Sequence, residues 1–322
     1  MSPVIRFMKI SERDERIAHV DETTRDARGD KQYLLLEEGT GWGKALNEIV
    51  TVEHEFPYSE LKIPGTEKGD IVHVEGHGEP VLRLGTLDEV DVAWAKRVHP
   101  YGNFSKPEIV EATYTLMAGL RESLKGAIVG VGAGSLLHEV ETGRGPEWDH
   151  HVQSKLLESG KIMRAGRPFD PVKKGDIGIV SELMQQYAGG KRHSYTGDFP
   201  DLFYRGFHGN DNRHYRHGYS ALREEQGPRP PQLVYATMPG PDFESPQLKR
   251  LLLSQGVDAV GMSLYASVSA LTELDIPFAA FCLITNGVEP HDHAGNQAVG
   301  DMSKDKIQAL ARAVVRGWPD KA

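Results

Sequence analysis

The chain has 322 residues, a net charge of −9 and hydrophobic residues at 39% of its positions, which is typical of an ordinary globular protein. This acidic balance argues against binding to nucleic acid or to an anionic membrane surface. A single cysteine, Cys282, excludes an internal disulfide, and no apolar stretch approaches the length of a membrane span or a signal peptide. We therefore expect a cytoplasmic protein.

The first half of the chain predicts alternating helices and strands. Residues 1–30 are mostly charged and predict a helix with a solvated lead-in, and residues 33–36 predict a short buried strand. The segment 47–99 reads as strands separated by turns that contain proline and glycine. Residues 106–124 have helical spacing and lead into GAIVGVGAGS at 126–135, which predicts a strand ending in glycines.

The second half contains two irregular regions. Residues 143–174 are polar and precede a strand in KKGDIGIV, and residues 187–231 predict a long loop rich in Gly, His, Arg and aromatic residues. A helix is predicted near 303–316, with Ser303 as its N-cap. Because the chain has neither an internal repeat nor a Pro/Ser-rich linker, we expect a single domain.

The segment 256–286 carries the strongest functional signal. Two apolar runs end in small polar residues, Met262-Ser263 after the first and Thr285-Asn286 after the last, and helical spacing lies between them. Ligands of open α/β sheets lie beyond the carboxyl ends of such strands. The same pattern also fits a plain buried strand–helix–strand unit, so by itself it leaves both readings open.

A glycine-rich loop, GTGWG at 39–43, follows the strand predicted at 33–36. Its backbone amides and the Thr40 hydroxyl are suited to an anion such as phosphate, although a tight turn would have the same sequence. Glu37 and Glu38 immediately precede the loop, and they would weaken an anion site unless their side chains point away.

Two further clusters have polar side chains at predicted strand exits. Arg97, His99 and Tyr101 recur at a spacing of two residues, which places them on one face of a strand; an exposed sheet edge is the alternative. Phe243 and Glu244 offer a stacking plane and a hydrogen-bond acceptor for a base edge, and the alternative is a helix N-terminus. His291-Asp-His293 has the spacing of metal ligands without a second cluster nearby, so we predict a solvated loop there and no metal site.

These motifs, taken in order, resemble those of the trimeric purine nucleoside phosphorylases and methylthioadenosine phosphorylases (nucleoside phosphorylase family I). GTGWG, RVHPYG, GVGAGS, GPDFES, VGMS and LITN each have a counterpart in that family, and the resemblance covers about 33–140 and 232–288. It implies a single-domain, three-layer α/β/α fold with a central twisted mixed sheet, phosphorylase/hydrolase-like. Residues 143–174 would be an atypical insertion.

The resemblance also implies roles for individual residues. Phosphate would be bound by Thr40, Arg97, His99, Gly132 and Ser263. The nucleoside would be contacted by Tyr101, Ala133, Phe243, Glu244, Met262, Thr285 and Asn286. The catalytic residues would be Asn286, Glu244 and His99. A glutamate with an asparagine is the family's arrangement for 6-oxopurines. The implied activity is phosphorolysis of a purine nucleoside by a homotrimer or a dimer of trimers, with phosphate as co-substrate and no cofactor.

Three alternatives stay open at this stage. Glu37 and Glu38 favour a nucleosidase that uses water instead of phosphate. Lys304 or a neighbour replaces the family's histidine at the ribose 5′-hydroxyl, which is compatible with a 5′-modified nucleoside. A protein that binds nucleosides without turnover would keep the same fold.

Overall fold

The computed structural model describes eleven stretches of the chain. They are residues 10–39, 41–66, 80–97, 106–135, 174–185, 213–228, 230–238, 244–254, 257–262, 264–287 and 293–319. The predicted insertion at 143–174 lies outside them except for its last residue.

Helices and strands alternate along most of the chain. The helices are α1 (Ile10–Arg28), α2 (Gly43–Asn47), α3 (Lys106–Leu120), α4 (Arg213–Gln226), α5 (Pro246–Ser254), α6 (Leu264–Glu273), α7 (His293–Met302) and α8 (Lys304–Arg316). The strands are β1 (Tyr33–Glu38), β2 (Thr51–Pro57), β3 (Val81–Leu87), β4 (Val90–Lys96), β5 (Leu124–Ser135), β6 (Ile177–Gln185), β7 (Gln232–Thr237), β8 (Ala259–Gly261) and β9 (Phe278–Asn286).

The nine strands form one mixed sheet in the order β2-β3-β4-β1-β5-β8-β7-β6-β9. The pairs β1–β4, β1–β5, β5–β9, β6–β7 and β7–β8 are parallel, and the pairs β2–β3, β3–β4, β5–β8 and β6–β9 are antiparallel. Because β5 pairs with β9 as well as with β8, the last five strands of this order close into a ring. The ring gathers the C-terminal ends of β5, β7, β8 and β9.

Strand β1 shows why helices cover both faces of the sheet. Tyr33 and Leu35 pack into one hydrophobic core with residues of α3 and α6, whereas Leu34 and Leu36 pack into a second core with residues of α2, α4 and α8. Side chains of a strand alternate between faces, so the part of β1 that enters the two hydrophobic cores, residues 33–36, is apolar on both sides. The predicted three-layer α/β fold with a mixed central sheet is confirmed.

Two predicted loop regions contain helices. Helix α4 lies within the segment 187–231, and its buried side includes His214, Tyr215 and Leu222. Helix α7 begins at His293, the last residue of the solvated loop that the sequence predicts, and His291 and Asp292 lie outside the described residues. His214 packs against the Trp318 ring, and Gly218 lies against Phe281 and Ala279.

The described stretches contain neither a membrane-spanning helix nor a cluster of metal-binding side chains. No described helix has the length and hydropathy needed to cross a membrane. Among the same residues, no three His, Cys, Asp or Glu side chains lie close enough together to hold a metal ion.

Helix α6 ends in a carboxylate whose surroundings predict a pH effect on stability. Both carboxylate oxygens of Glu273 are buried and lack a hydrogen-bond partner within the described residues. Desolvation by burial raises the pKa of Glu273, and the charge of Arg13 on α1 lowers it. The Arg13 guanidinium also lies 5.7 Å from the ring centroid of Tyr114, so Arg13 interacts with this ring as well as with the Glu273 carboxylate.

We expect Glu273→Gln to increase the free energy of unfolding at pH 8 by about 1 kcal/mol, because a neutral amide costs less to bury than a carboxylate. A carboxyl whose pKa is raised on folding contributes stability that is complete below its unfolded pKa and is lost as pH rises through the folded pKa. The gain should therefore be smaller at pH 5. Urea denaturation at the two pH values measures it, with exposed Glu224→Gln as control. An equal gain at both pH values would contradict the prediction.

Candidate active site

The C-terminal ends of the ring strands bring together part of the predicted site. Gly132 and Ala133 lie in β5, opposite Leu283 and Ile284 of β9, and the register places Asn286 opposite Gly134. The backbone N–H of Met238, which follows β7, donates to the carbonyl oxygen of Gly261 at 2.7 Å, and Met262 follows directly. Predicted nucleoside-binding residues of β5 and β9 thus lie on paired strands, and Met262 follows strand β8, which pairs with the end of β5.

The remaining predicted residues divide into two groups. Arg97, Glu244 and Thr285 lie within the described stretches, at the ends of β4, before α5 and at the end of β9. Five predicted residues lie outside the described stretches: Thr40, His99, Tyr101, Phe243 and Ser263. Glycines 132 and 134 belong to β5, which ends at Ser135, so the strand ending in glycines that the sequence predicts at 126–135 is confirmed.

The side chain of Asn286 has a fixed orientation. The Thr285 hydroxyl donates to Asn286 Oδ1 at 3.0 Å, and Asn286 Nδ2 donates to the carbonyl oxygen of Gly287 at 3.0 Å. Thr285 and Asn286 are both buried. These bonds orient a side-chain amide, which has both a donor and an acceptor, at the end of β9.

A buried lysine that the sequence motifs did not indicate connects the two base-recognition candidates. Lys249 of α5 is 2% exposed, and its Nζ donates to the carbonyl oxygen of Gly287 at 3.2 Å. Its charge also lowers the pKa of Glu244, which burial raises. Lys249 therefore lies near both Glu244 and the turn that holds Asn286. A lone lysine in an amphipathic helix gives no sequence signal of such a position.

Glu244 has an unused acceptor atom. Its Oε1 is buried and has no hydrogen-bond partner in the described part of the chain. Desolvation by burial raises the pKa of the Glu244 carboxyl, while its own backbone N–H and Lys249 oppose that rise. A buried acceptor without a donor is costly in the ligand-free protein, and a ligand N–H would remove that cost.

Tyr235 and Thr237 of β7 are further polar residues that the sequence analysis missed. Tyr235 Oη and Thr237 Oγ1 are buried and without a hydrogen-bond partner among the described residues. Burial raises the pKa of Tyr235 well above its ordinary value, and the charges of Arg97 and Glu244 act on the same hydroxyl. The Tyr235 hydroxyl is thus within electrostatic reach of both the predicted phosphate residue and the predicted base residue.

The predicted phosphate-binding arginine is engaged by a carboxylate. Arg97 Nη2 donates to Glu37 Oε2 at 2.9 Å and Nε donates to Glu37 Oε1 at 3.2 Å. Nε also donates to the Ser267 hydroxyl of α6 at 3.1 Å. The side chain of Arg97 is 0% exposed and that of Glu37 is 4% exposed. This is a buried, two-bond ion pair at the end of β1.

Glu38 points to the opposite face of β1. It accepts a hydrogen bond from Trp94 Nε1 at 2.7 Å, and its carboxylate lies against Gly43 at the start of α2. Lys96 Nζ is 3.9 Å from Glu38 Oε1. Desolvation by burial raises the pKa of Glu38, and Lys96 and Trp94 lower it. The carboxylates of Glu37 and Glu38 therefore contact different residues.

Strand β5 and helix α7 both fix the glycine-rich loop. The Gly39 N–H donates to the carbonyl oxygen of Gly130 at 2.8 Å, and the Trp42 indole N–H donates to that of Val131 at 3.1 Å. Gly41 has a φ of +87°, which favours glycine. A Cβ on Gly300 of α7 would lie 2.5 Å from the Gly41 Cα, so the two glycine backbones are in direct contact.

Gly300→Ala is expected to destabilise the protein by about 1–3 kcal/mol, because the added methyl group meets backbone atoms that cannot rotate away. In a helix without this contact, Gly→Ala would stabilise by about 0.5–1 kcal/mol, so the sign of the change is diagnostic. Chemical denaturation measures it. The exposed Ala298→Gly variant of the same helix gives the ordinary Ala–Gly difference. Stabilisation by Gly300→Ala would show that the backbone contact does not form.

Comparison with known proteins agrees with this geometry. The sequence profile of the Phosphorylase superfamily matches residues 165–316, which include Glu244, Met262 and Asn286 and leave out Arg97 and the glycine-rich loop. Purine nucleoside phosphorylases of Mycobacterium bovis and Mycobacterium tuberculosis are each 36% identical over 102 residues. The alignment covers 29% of this chain and only 38% of each relative.

Solved structures extend the likeness in fold to almost the whole chain. Purine nucleoside phosphorylase of Schistosoma mansoni in complex with inosine superposes with a TM-score of 0.68 and 19% identity, covering 95% of this chain and 98% of that one. The same enzyme in complex with adenosine superposes with a TM-score of 0.67 and 20% identity, over 95% and 98% of the two chains. The chain is thus similar to the phosphorylase superfamily over residues 165–316, and it shares the fold of these purine nucleoside phosphorylases over almost its whole length.

Proposed function

We propose that the chain is a pentosyltransferase that cleaves a purine nucleoside by phosphorolysis, giving the free base and a pentose 1-phosphate, with a preference for 6-oxopurines. The observation that carries this proposal is the buried Oε1 of Glu244, which has no hydrogen-bond partner among the described residues. Hypoxanthine and guanine present an N–H at N1 that such an acceptor can receive, whereas adenine presents a bare nitrogen there. The related enzymes of Schistosoma mansoni have been solved with inosine and also with adenosine, so the base preference needs its own test.

In the proposed reaction a phosphate oxygen attacks the anomeric carbon while the bond from that carbon to the purine nitrogen breaks. The transition state resembles an oxocarbenium ion, as in glycoside hydrolysis. Negative charge that develops on the purine is stabilised by Asn286, which donates to N7, and the base takes up one proton on leaving. Glu244 accepts from N1–H and holds the base in place. A site built around such pairs discriminates strongly, because a wrong base leaves its buried polar atoms unpaired.

The proposal uses phosphate as co-substrate and no cofactor. The residues proposed to hold phosphate are Thr40, Arg97, His99, Gly132 and Ser263, and those proposed to hold ribose are Tyr101 and Met262. Support for these roles comes from the resemblance of the motifs. The same resemblance supports a homotrimer or a dimer of trimers. Light scattering of the purified protein would measure its mass and test this.

A second candidate is a nucleosidase that transfers the sugar to water. The Glu37–Arg97 ion pair favours it, because a carboxylate already engages the arginine that phosphate would need. The two reactions differ in one requirement, since only phosphorolysis depends on added phosphate.

The test is to incubate the full chain with inosine, guanosine, adenosine or methylthioadenosine, each with and without phosphate, and to follow free base by chromatography. Phosphate-dependent release from inosine and guanosine is the expected result. Release that is equal without phosphate would favour the nucleosidase. Faster release from adenosine than from inosine would reject the 6-oxopurine preference. Thermal stabilisation by a nucleoside without any product would indicate a binding protein.

A further inference from the structure

We infer that Glu37 is an internal competitor of phosphate for the Arg97 guanidinium and thereby sets how tightly this chain takes its anionic co-substrate. The inference rests on the proposed function, because it assumes that the glycine-rich loop and Arg97 face the anion. It assigns a role to a residue that departs from the family pattern recognised in the sequence, where apolar or small residues precede the loop.

The first argument is the geometry of the pair. A guanidinium binds phosphate best through two parallel N–H donors. In Arg97, the Nε and Nη2 donors both engage the carboxylate of Glu37, at 3.2 and 2.9 Å. Nη1 faces the glycine-rich loop, since it would lie 3.0 Å from a Cβ on Gly39. Glu37 thus takes one two-donor edge of the guanidinium.

The second argument is electrostatic. Both side chains are almost completely buried, so the charge of Arg97 is already balanced inside the protein. A phosphate dianion that joined the intact pair would place two anions around one cation, in surroundings that screen charge poorly. Phosphate must therefore displace Glu37 from Arg97 or bind with reduced affinity. In either case the carboxylate subtracts from the free energy of phosphate binding.

Glu38 provides a matched control inside the same strand. It is the adjacent residue, is also buried, and carries the same charge, but it faces Trp94, Lys96 and Gly43. Replacement of either glutamate by glutamine removes one negative charge next to the loop. Only replacement of Glu37 releases the two-donor edge of Arg97.

The experiment is calorimetric titration of the purified full chain with inorganic phosphate, for wild type, Glu37→Gln and Glu38→Gln. We expect Glu37→Gln to bind phosphate at least about tenfold more tightly than wild type, equivalent to about 1.4 kcal/mol. Glu38→Gln should change the affinity by less than about threefold. Hypoxanthine affinity, measured on the same samples, should be unchanged in Glu37→Gln, because the base-recognition residues lie on β9 and before α5.

If Glu37→Gln does not fold, Glu37→Asp keeps the charge and shortens the side chain by one methylene, so it should give a smaller gain in phosphate affinity. Equal phosphate affinity in wild type and in a folded Glu37 variant would overturn the inference, as would an equal gain in Glu38→Gln. Failure of the proposed function is separable. If the chain releases no base from any nucleoside, the proposed function is wrong. If Glu37→Gln still binds phosphate more tightly than wild type, the competition between Glu37 and phosphate for Arg97 stands.

Discussion

Replacement of Asn286 by alanine is expected to lower kcat/KM for inosine roughly 100- to 1,000-fold, the cost of removing one preorganised donor from a site of charge development. Asn286 is buried and is oriented by Thr285 and by the carbonyl oxygen of Gly287, so it is prepared before substrate arrives. The loss should fall mainly on kcat, because the donor matters most when charge builds up on the purine. Steady-state kinetics with saturating phosphate measure it.

The matched control is Asn47→Ala, which removes an exposed amide from α2 and should leave kcat/KM within about twofold. Asn286→Asp separates charge stabilisation from base selection. An aspartate only accepts when ionised, so it should disfavour inosine more than adenosine, whose 6-amino group is a donor. A full retention of inosine turnover by Asn286→Ala would remove Asn286 from the proposed mechanism.

Arg97→Met is expected to cost about 3–5 kcal/mol of stability, because it leaves Glu37 buried without its counterion. The double variant Arg97→Met with Glu37→Leu should recover most of that loss, since it removes both charges together. Urea denaturation of wild type, the single variants and the double variant gives the coupling free energy.

Lys44→Met is the control for the loss of an ion pair at the surface. Lys44 lies 2.9 Å from Asp301, with both side chains at least half exposed, so its removal should cost less than about 1 kcal/mol. If Arg97→Met costs no more than Lys44→Met, the Glu37–Arg97 pair is not the desolvated pair that its burial indicates. If the double variant is no more stable than Arg97→Met alone, the cost does not come from an unpaired Glu37.

The sequence predicted those parts of the fold in which a local pattern was sufficient. Strand β9 is apolar from Phe278 to Ile284 and buried at every position, so its type and its polar end at Asn286 follow from the sequence. Helix α4 was missed because half of its buried face consists of His214, Tyr215 and Gly218. Those residues have no apolar periodicity, and their burial depends on partners such as Phe281 and Trp318 that lie far away in sequence.

The site divides in the same way. Glu244 and Asn286 could be proposed from the sequence because short motifs mark them at predicted strand exits. The hydrogen bonds of Arg97 were not predictable from the sequence. Arg97 is 60 residues from Glu37 and 170 residues from Ser267. The closure of the strand ring was also not predictable from the sequence. Strand β5 pairs with β1 along its first half, with β9 along most of its length and with β8 only at its end, and such shared pairing leaves no one-dimensional pattern.

The contact between Gly41 of the loop and Gly300 of α7 affects how the GTGWG motif is interpreted. Gly41 is required by its positive φ and by the approach of Gly300, and neither requirement involves an anion. A lineage that stopped using phosphate would still have to keep this glycine in order to fold. Retention of the motif in a related sequence therefore reports an architectural constraint. The residue at the Glu37 position is a separate feature of such a sequence, because its carboxylate contacts Arg97 and takes no part in the approach of Gly41 to Gly300.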